Sequence, residues 1–238
     1  MEGKSLTIVG HLAELRARII VTAISILLGT MASYIFIDEI VNLITMPAGH
    51  LDFVYLSPPE LFLAYIKISI IFGMIVASPI ILYQIWAFVM PSINKKEKVY
   101  VFFAIILSSV FFIGGVIFSY LSIIPLTIDF FVEMSGEDIL PMFSFSNYTS
   151  FITSILLAFG VAFQLPLLVL LLTQLRLIKP KLLKKSRKFI ILAIFLMSSI
   201  LTPPDVISQM LLAGPMIILF EMSIVISSVI DWRRSKNS

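Results

Sequence analysis

Charged side chains are absent from long stretches of this chain, and those stretches set its plan. Residues 19–37 carry no charge, and about 19 apolar residues are enough helix to cross the hydrocarbon core of a bilayer. Further apolar runs follow at 68–89, 99–120, 150–175, 189–202 and 206–230. Six transmembrane helices are predicted, forming one membrane domain over residues 1–238. Ahead of the first run, Ile8, Leu12, Leu15 and Ile19 recur four, three and four residues apart, which makes one apolar helical stripe. His11, Glu14 and Arg18 share another face. Residues 1–18 therefore read as an amphipathic helix lying in the membrane interface before the chain turns inward.

Prolines punctuate this pattern. Pro47-Ala-Gly and Ser57-Pro-Pro-Glu60 mark a turn and a helix start in the loop 38–67. Pro79 and Pro166 fall inside the second and fourth runs, where a proline removes a backbone hydrogen bond and bends the helix. Pro125 is expected to mark the exit of the third span. Pro203-Pro204-Asp205 separates the fifth run from the sixth. The fifth run, at about 1.5 Å per residue, gives roughly 21 Å of helix against a core of roughly 30 Å. The fifth and sixth helices are accordingly expected to be short, with the hairpin between them near or below the interface.

Composition then leaves a single class. With 59% hydrophobic residues, 13% charged residues and a mean hydropathy of +1.07, the chain is an all-α integral membrane protein rather than a soluble domain. The polar lead contains Glu2 and Glu14, and the apolar run after it exceeds a usual signal core, so no cleaved signal peptide is expected. A net charge of +3 would suggest nucleic acid in a soluble protein. Here the bases lie beside apolar spans, and no nucleic-acid partner is expected. There is no cysteine, and His11 and His50 fall on opposite sides of the membrane, so no metal site is expected.

Charge also orients the chain. Residues 1–18, 90–98, 176–188 and the tail hold 16 of the 17 Lys/Arg, whereas the opposite loops hold only Lys67 and nine of the fourteen acids. The excess of bases on one side places both termini in the cytoplasm.

Few groups could carry chemistry. Glu14 and Glu97 are carboxylates beside the membrane on the cytoplasmic side. Glu14 can pair with Arg18 one turn away, and Glu97 with Lys95, Lys96 or Lys98; alternatively the two acids form one patch for a cationic ligand. Asp205 is either the N-cap of the sixth helix or a partly desolvated carboxylate. Gln164 is a candidate interhelical hydrogen-bonding group. Glu221 lies about 15 Å inside the cytoplasmic end by helix rise, as a salt bridge or a protonated carboxyl. No histidine lies in a span and no nucleophile–base pair is visible, so an enzyme is not expected. A small secondary transporter with Glu221 in its ion path is the alternative function; the absence of an internal repeat argues against it.

Longer motifs sharpen the reading. His11-Leu-Ala-Glu-Leu-Arg16, then Ser57-Pro-Pro-Glu-Leu-Phe62 with Tyr65-Ile-Lys67, then Pro79-Ile-Ile-Leu-Tyr-Gln-Ile-Trp-Ala-Phe88 with Pro91 and Glu97, occur in that order. Phe159-Gly-Val-Ala-Phe-Gln-Leu-Pro166 and Leu201-Thr-Pro-Pro-Asp205 through Phe220-Glu221 follow. Together they resemble, over nearly the whole chain, the TatC family, the polytopic receptor subunits of the twin-arginine protein translocase. The resemblance implies six tilted helices forming a curved wall around a concave groove. It implies binding of the twin-arginine signal peptides of folded precursor proteins, at the cytoplasmic face of a prokaryotic plasma membrane. It also implies assembly into an oligomer with single-span TatA-type partners, and TatB-type ones where present, for export driven by the proton-motive force without a cofactor. By match of motif, Glu14 and Glu97 would bind the arginines, with His11, Arg16, Phe88 and Pro91 around them; a guanidinium fork pairs with a carboxylate in a way lysine cannot. Gln164, Pro166 and Glu221 would dock partner helices, and Pro47, Ser57, Glu60 and Asp205 would serve structure or translocation. Many members carry Glu where this chain has Gln164, so a required ionisable group in the fourth span is not implied here.

Overall fold

The computed structural model describes residues 8–49, 51–89, 98–134, 142–174, 178–201 and 206–236. Helix α1 (Ile8–Ile35) is unbroken, so the expected division into an interfacial helix at 1–18 and a span from 19 is not present. No proline interrupts this stretch, and Glu14 and Arg18 answer each other one turn apart, so nothing forces a break. After Phe36 comes a second helix, α2 (Ile37–Thr45), in a region that the charge pattern assigns to a loop. Asp38 and Glu39 sit in its first turn, where carboxylates favour the helix dipole. A 3-10 turn, Met46–Ala48, holds Pro47 and ends at Gly49, whose φ of 62° suits glycine.

Helix α3 (Pro58–Val89) begins ten residues before the expected span and passes through Pro79 as one helix. The third run does not leave at Tyr120 or Pro125. Helix α4 (Lys98–Phe118) passes through a π turn, Ser119–Ile123, into α5 (Ile124–Met134). Pro125 has no N–H for the carbonyl of residue 121, and the wider turn just ahead accommodates that gap. Asp129 and Glu133 are thus helical. The fourth run forms α6 (Phe145–Ala162) and α7 (Leu165–Gln174), broken at Phe163 and Gln164. The break lies just ahead of Pro166, where its ring and missing N–H would disturb a continuous ladder. Helix α8 (Pro180–Leu201) starts nine residues before the expected run and carries Lys181 to Lys188 in helical turns. Helix α9 (Val206–Lys236) has 31 residues and continues through Pro215, so the sixth helix is not short. Asp205 and the Pro203-Pro204 turn lie outside the described residues.

Among the described residues, five segments are long and apolar enough to cross a membrane: Gly10–Ile35, Pro58–Phe88, Ile105–Met134, Phe145–Gln174 and Gln209–Arg233. In α8 only residues 189–201 are free of charge, which makes it the short member of the set. The helices alternate in direction, so one end of the bundle gathers the acids of 38–60 and 129–133 and the other gathers the bases of α8 and α9. These are called the acidic end and the basic end below. Helix α1 packs along α3, α4 along α6, and α7 and α8 along α9. At the α1–α3 crossing, a Cβ built on Gly73 would stand 2.4 Å from the backbone nitrogen of Thr30, and one on Gly29 2.6 Å from the carbonyl oxygen of Gly73. Small residues let two helices in lipid approach this closely, where packing rather than water drives association. The core includes fully buried Ile124, Ile152, Ile155, Phe159, Leu212 and Phe220.

Candidate functional site

At the basic end, the start of α1 is fastened to the last turns of α3. The His11 ring stacks on Phe88, with centroids 4.5 Å apart and planes 18° from parallel. Arg18 donates from Nε to Glu14 Oε1 at 3.1 Å and from Nη1 to Gln84 Oε1 at 3.3 Å. Glu14 is therefore an ion-paired carboxylate, with Arg18 its partner as the one-turn spacing allows. Both side chains keep part of their surface open, 26% for Glu14 and 21% for Arg18, so an incoming cation can reach the acid. Arg16 is exposed on α1 and makes no ion pair among the described residues. Pro91 and Glu97, which follow the end of α3 in sequence, lie outside the described residues.

Gln164 sits at the α6–α7 break and reaches across to α4. Its Nε2 donates to the Ser108 carbonyl at 3.0 Å, while the buried Trp86 indole donates to Ser108 Oγ at 2.7 Å. Ser108 thus joins α3, α4 and the broken fourth span. The Gln164 Oε1 atom is buried without a hydrogen-bond partner among the described residues, and such an acceptor is costly to leave unmet. Pro166 is buried in the first turn of α7. Neither the Ser108 carbonyl as the acceptor of Gln164 nor the Trp86 indole as the donor to Ser108 Oγ was legible in the sequence.

Glu221 accepts from Arg187 Nη2 at 2.7 Å, with 39% and 44% of the two side chains exposed. A carboxylate neutralised by an arginine at an open edge is poorly suited to relay an ion, which removes support from the transporter reading. At the acidic end, Glu60 accepts from the Leu56 N–H and from Ser144 Oγ, both at 2.7 Å. Ser144 caps α6 by accepting from the Asn147 N–H at 3.4 Å. Glu60 therefore couples the start of α3 to the start of α6. Ser57, whose carbonyl accepts from the Glu60 N–H at 3.1 Å, and the half-buried Pro47 belong to the same end. A two-stranded parallel pair, β1 (Phe53–Val54) with β2 (Phe143–Ser144), ties the loops together. No group of three or more metal-binding side chains occurs among the described residues.

Long apolar helices, glycine crossings and polar side chains spent on helix–helix contacts define a polytopic α-helical membrane protein. The model of a family described as Sec-independent protein translocase protein (TatC) matches residues 10–215. The chain is 37% identical over 233 residues to the Sec-independent protein translocase protein TatC of Carboxydothermus hydrogenoformans, covering 97% of this chain and 96% of that one. It is 32% identical over 237 residues to TatCd of Bacillus subtilis, covering 99% and 97%. Its fold matches a crystal structure of the twin arginine translocase receptor TatC with a TM-score of 0.86 and 32% identity, over 92% of this chain and 98% of that one. The chain belongs to the TatC family.

Proposed function

We propose that this chain is the receptor subunit of a twin-arginine translocase in a prokaryotic plasma membrane, with both termini in the cytoplasm. It binds the Arg-Arg signal peptides of folded precursors and gathers single-span TatA-type subunits, with TatB-type ones where present, into an oligomer that exports cargo using the proton-motive force. Its family membership supports the system; the fastening of α1 to α3 through His11–Phe88 and Arg18–Gln84 supports the site. That fastening brings Glu14 to the end of α3, the helix that Pro91 and Glu97 follow in sequence. The Glu14 carboxylate there suits a guanidinium group arriving along the membrane surface, with Glu97, which follows α3 in sequence, as the second acid of the proposed site. Gln164, with its unmet buried acceptor, and Pro166 suit the docking of a partner helix that brings a donor; Glu221 serves that edge through Arg187. Pro47, Ser57 and Glu60 maintain the opposite end, and Asp205 serves structure or translocation.

Photocrosslinking of an Arg-Arg precursor to residues in the 90–98 loop and around Glu14 tests the reading. Strong adducts are expected, reduced severalfold when the arginines are replaced by lysines. Equal adducts for both precursors, or none, would refute it.

A further inference from the structure

A cleft of about 380 Å³ between the basic end of α8 and the last turns of α9 takes no part in the signal site. Lys184, Arg187, Val225, Ser228, Val229 and Trp232 contribute to its walls. The Arg187 charge is answered by Glu221. Lys184 has no acidic partner among the described residues, and exposed Lys181, Lys185 and Lys188 stand within about a turn of it on the same helix. Trp232 is 63% exposed, with the Lys236 ammonium 5.5 Å from its ring centroid. Its place at the end of the apolar part of α9 is the level at which tryptophan prefers the headgroup layer. One turn and two turns deeper, Val229 and Val225 turn the wall apolar.

The cleft therefore offers an unanswered ammonium and an amphipathic ring at headgroup depth, with an apolar wall beneath them. A net-neutral lipid such as phosphatidylcholine would bring its own cation in beside Lys184 together with its phosphate, and an apolar partner helix would bury the ammonium without a counter-charge, which is costly. A soluble anion would leave the valine wall uncovered. We propose that this cleft binds an anionic phospholipid, its phosphate against Lys184 beside the Trp232 indole and one acyl chain along Val229 and Val225. Basic pockets between helices at the membrane surface hold anionic headgroups on these terms. The site does not depend on the twin-arginine reading.

Acyl-brominated lipids quench tryptophan on contact, and the chain has two tryptophans, of which Trp86 is buried. The signal of Trp232 is the difference between the full-length protein and its Trp232→Phe variant in vesicles. Brominated phosphatidylglycerol, diluted in phosphatidylcholine, is expected to quench Trp232 with about fivefold or greater preference over brominated phosphatidylcholine diluted in phosphatidylglycerol. Lys184→Gln should bring that preference close to unity, and Lys184→Arg should retain it. Equal quenching by both lipids, or a preference unchanged in Lys184→Gln, would overturn the proposal. If neither lipid quenches Trp232, protein covers the cleft, either a second copy of the chain or another subunit, and the lipid proposal fails.

Discussion

The two ends of the bundle are held together by different chemistry. At the acidic end most ties are made by hydroxyl groups, on backbone carbonyls and, from Ser144, on the Glu60 carboxylate, and no ion pair joins helices there among the described residues. Tyr148 donates to the Ile44 carbonyl at 2.9 Å, and Tyr120 to the Leu43 carbonyl at 2.8 Å. The rings of Phe53, Phe143, Phe145 and Tyr65 close around Tyr148 or one another. At the basic end the ties are charged and only partly buried by protein: Glu14–Arg18–Gln84 and Arg187–Glu221. A buried carbonyl that loses its donor stays unmet, and the loss is felt in stability. An exposed ion pair contributes little to stability and can exchange partners at small cost. The acidic end is thus built as a scaffold, and the basic end as a surface where one cation can replace another.

The largest effect is expected from a change that separates the two ends from each other. The α1–α3 crossing connects them, and its closeness rests on Gly73. A leucine there would drive its Cβ to 2.4 Å from the backbone of Thr30, which no side-chain rotation relieves. Overpacking typically costs about 1–3 kcal/mol and more against rigid neighbours. Gly73→Leu should abolish the monodisperse protein peak in detergent, with Gly73→Ala milder in the same direction. A peak of wild-type height and thermal midpoint for Gly73→Leu would show that the crossing does not hold the frame.

Next in size comes the scaffold end itself. Tyr148→Phe keeps the ring packing but leaves the Ile44 carbonyl without its donor, a loss of about 1–3 kcal/mol. The thermal midpoint should fall while binding of an Arg-Arg precursor is unchanged. If binding falls in step with stability, the contrast between scaffold and exchange surface does not hold.

What the chain revealed in advance follows the same physics. Uncharged runs locate spans because lipid tolerates few charges, and among the described residues the apolar runs fall mostly in helix, the first crossing from α1 into α2 and the fourth divided between α6 and α7. Their ends were not legible, because helices continue past the hydrocarbon core: α1 carries Glu14 and Arg18 as a matched pair, and α8 carries its bases on long stems that reach outward. Pro125 misled because a π turn absorbs it. Among site residues, the Glu14–Arg18 pair was one of two readings that spacing allowed, since one helical turn is readable from a sequence. Gln84 as its third member was not, nor was Arg187 as the partner of Glu221, because a side-chain contact across helices leaves no local pattern. The acceptor of Gln164 is a backbone carbonyl, and every residue has one.

The smallest effect on stability should accompany the largest on recognition. Glu14 and Arg18 form a partly open pair one turn apart, and such pairs contribute about 0.3–0.5 kcal/mol. Glu14→Gln and Arg18→Gln should both leave the thermal midpoint nearly where it was. Their effects on an Arg-Arg precursor should have opposite sign. A charge-assisted hydrogen bond contributes roughly 1.5–3 kcal/mol, so Glu14→Gln should weaken binding about tenfold or more. Arg18 occupies a Glu14 carboxylate oxygen, for which a precursor arginine competes in the proposed site, so Arg18→Gln should preserve that binding or tighten it a few-fold. The test is titration of a fluorescent Arg-Arg precursor onto membranes bearing each variant, at low and at physiological salt. If both variants lose binding equally, Glu14 and Arg18 matter only as a pair that positions α1 on α3; if neither does, Glu14 does not read the signal.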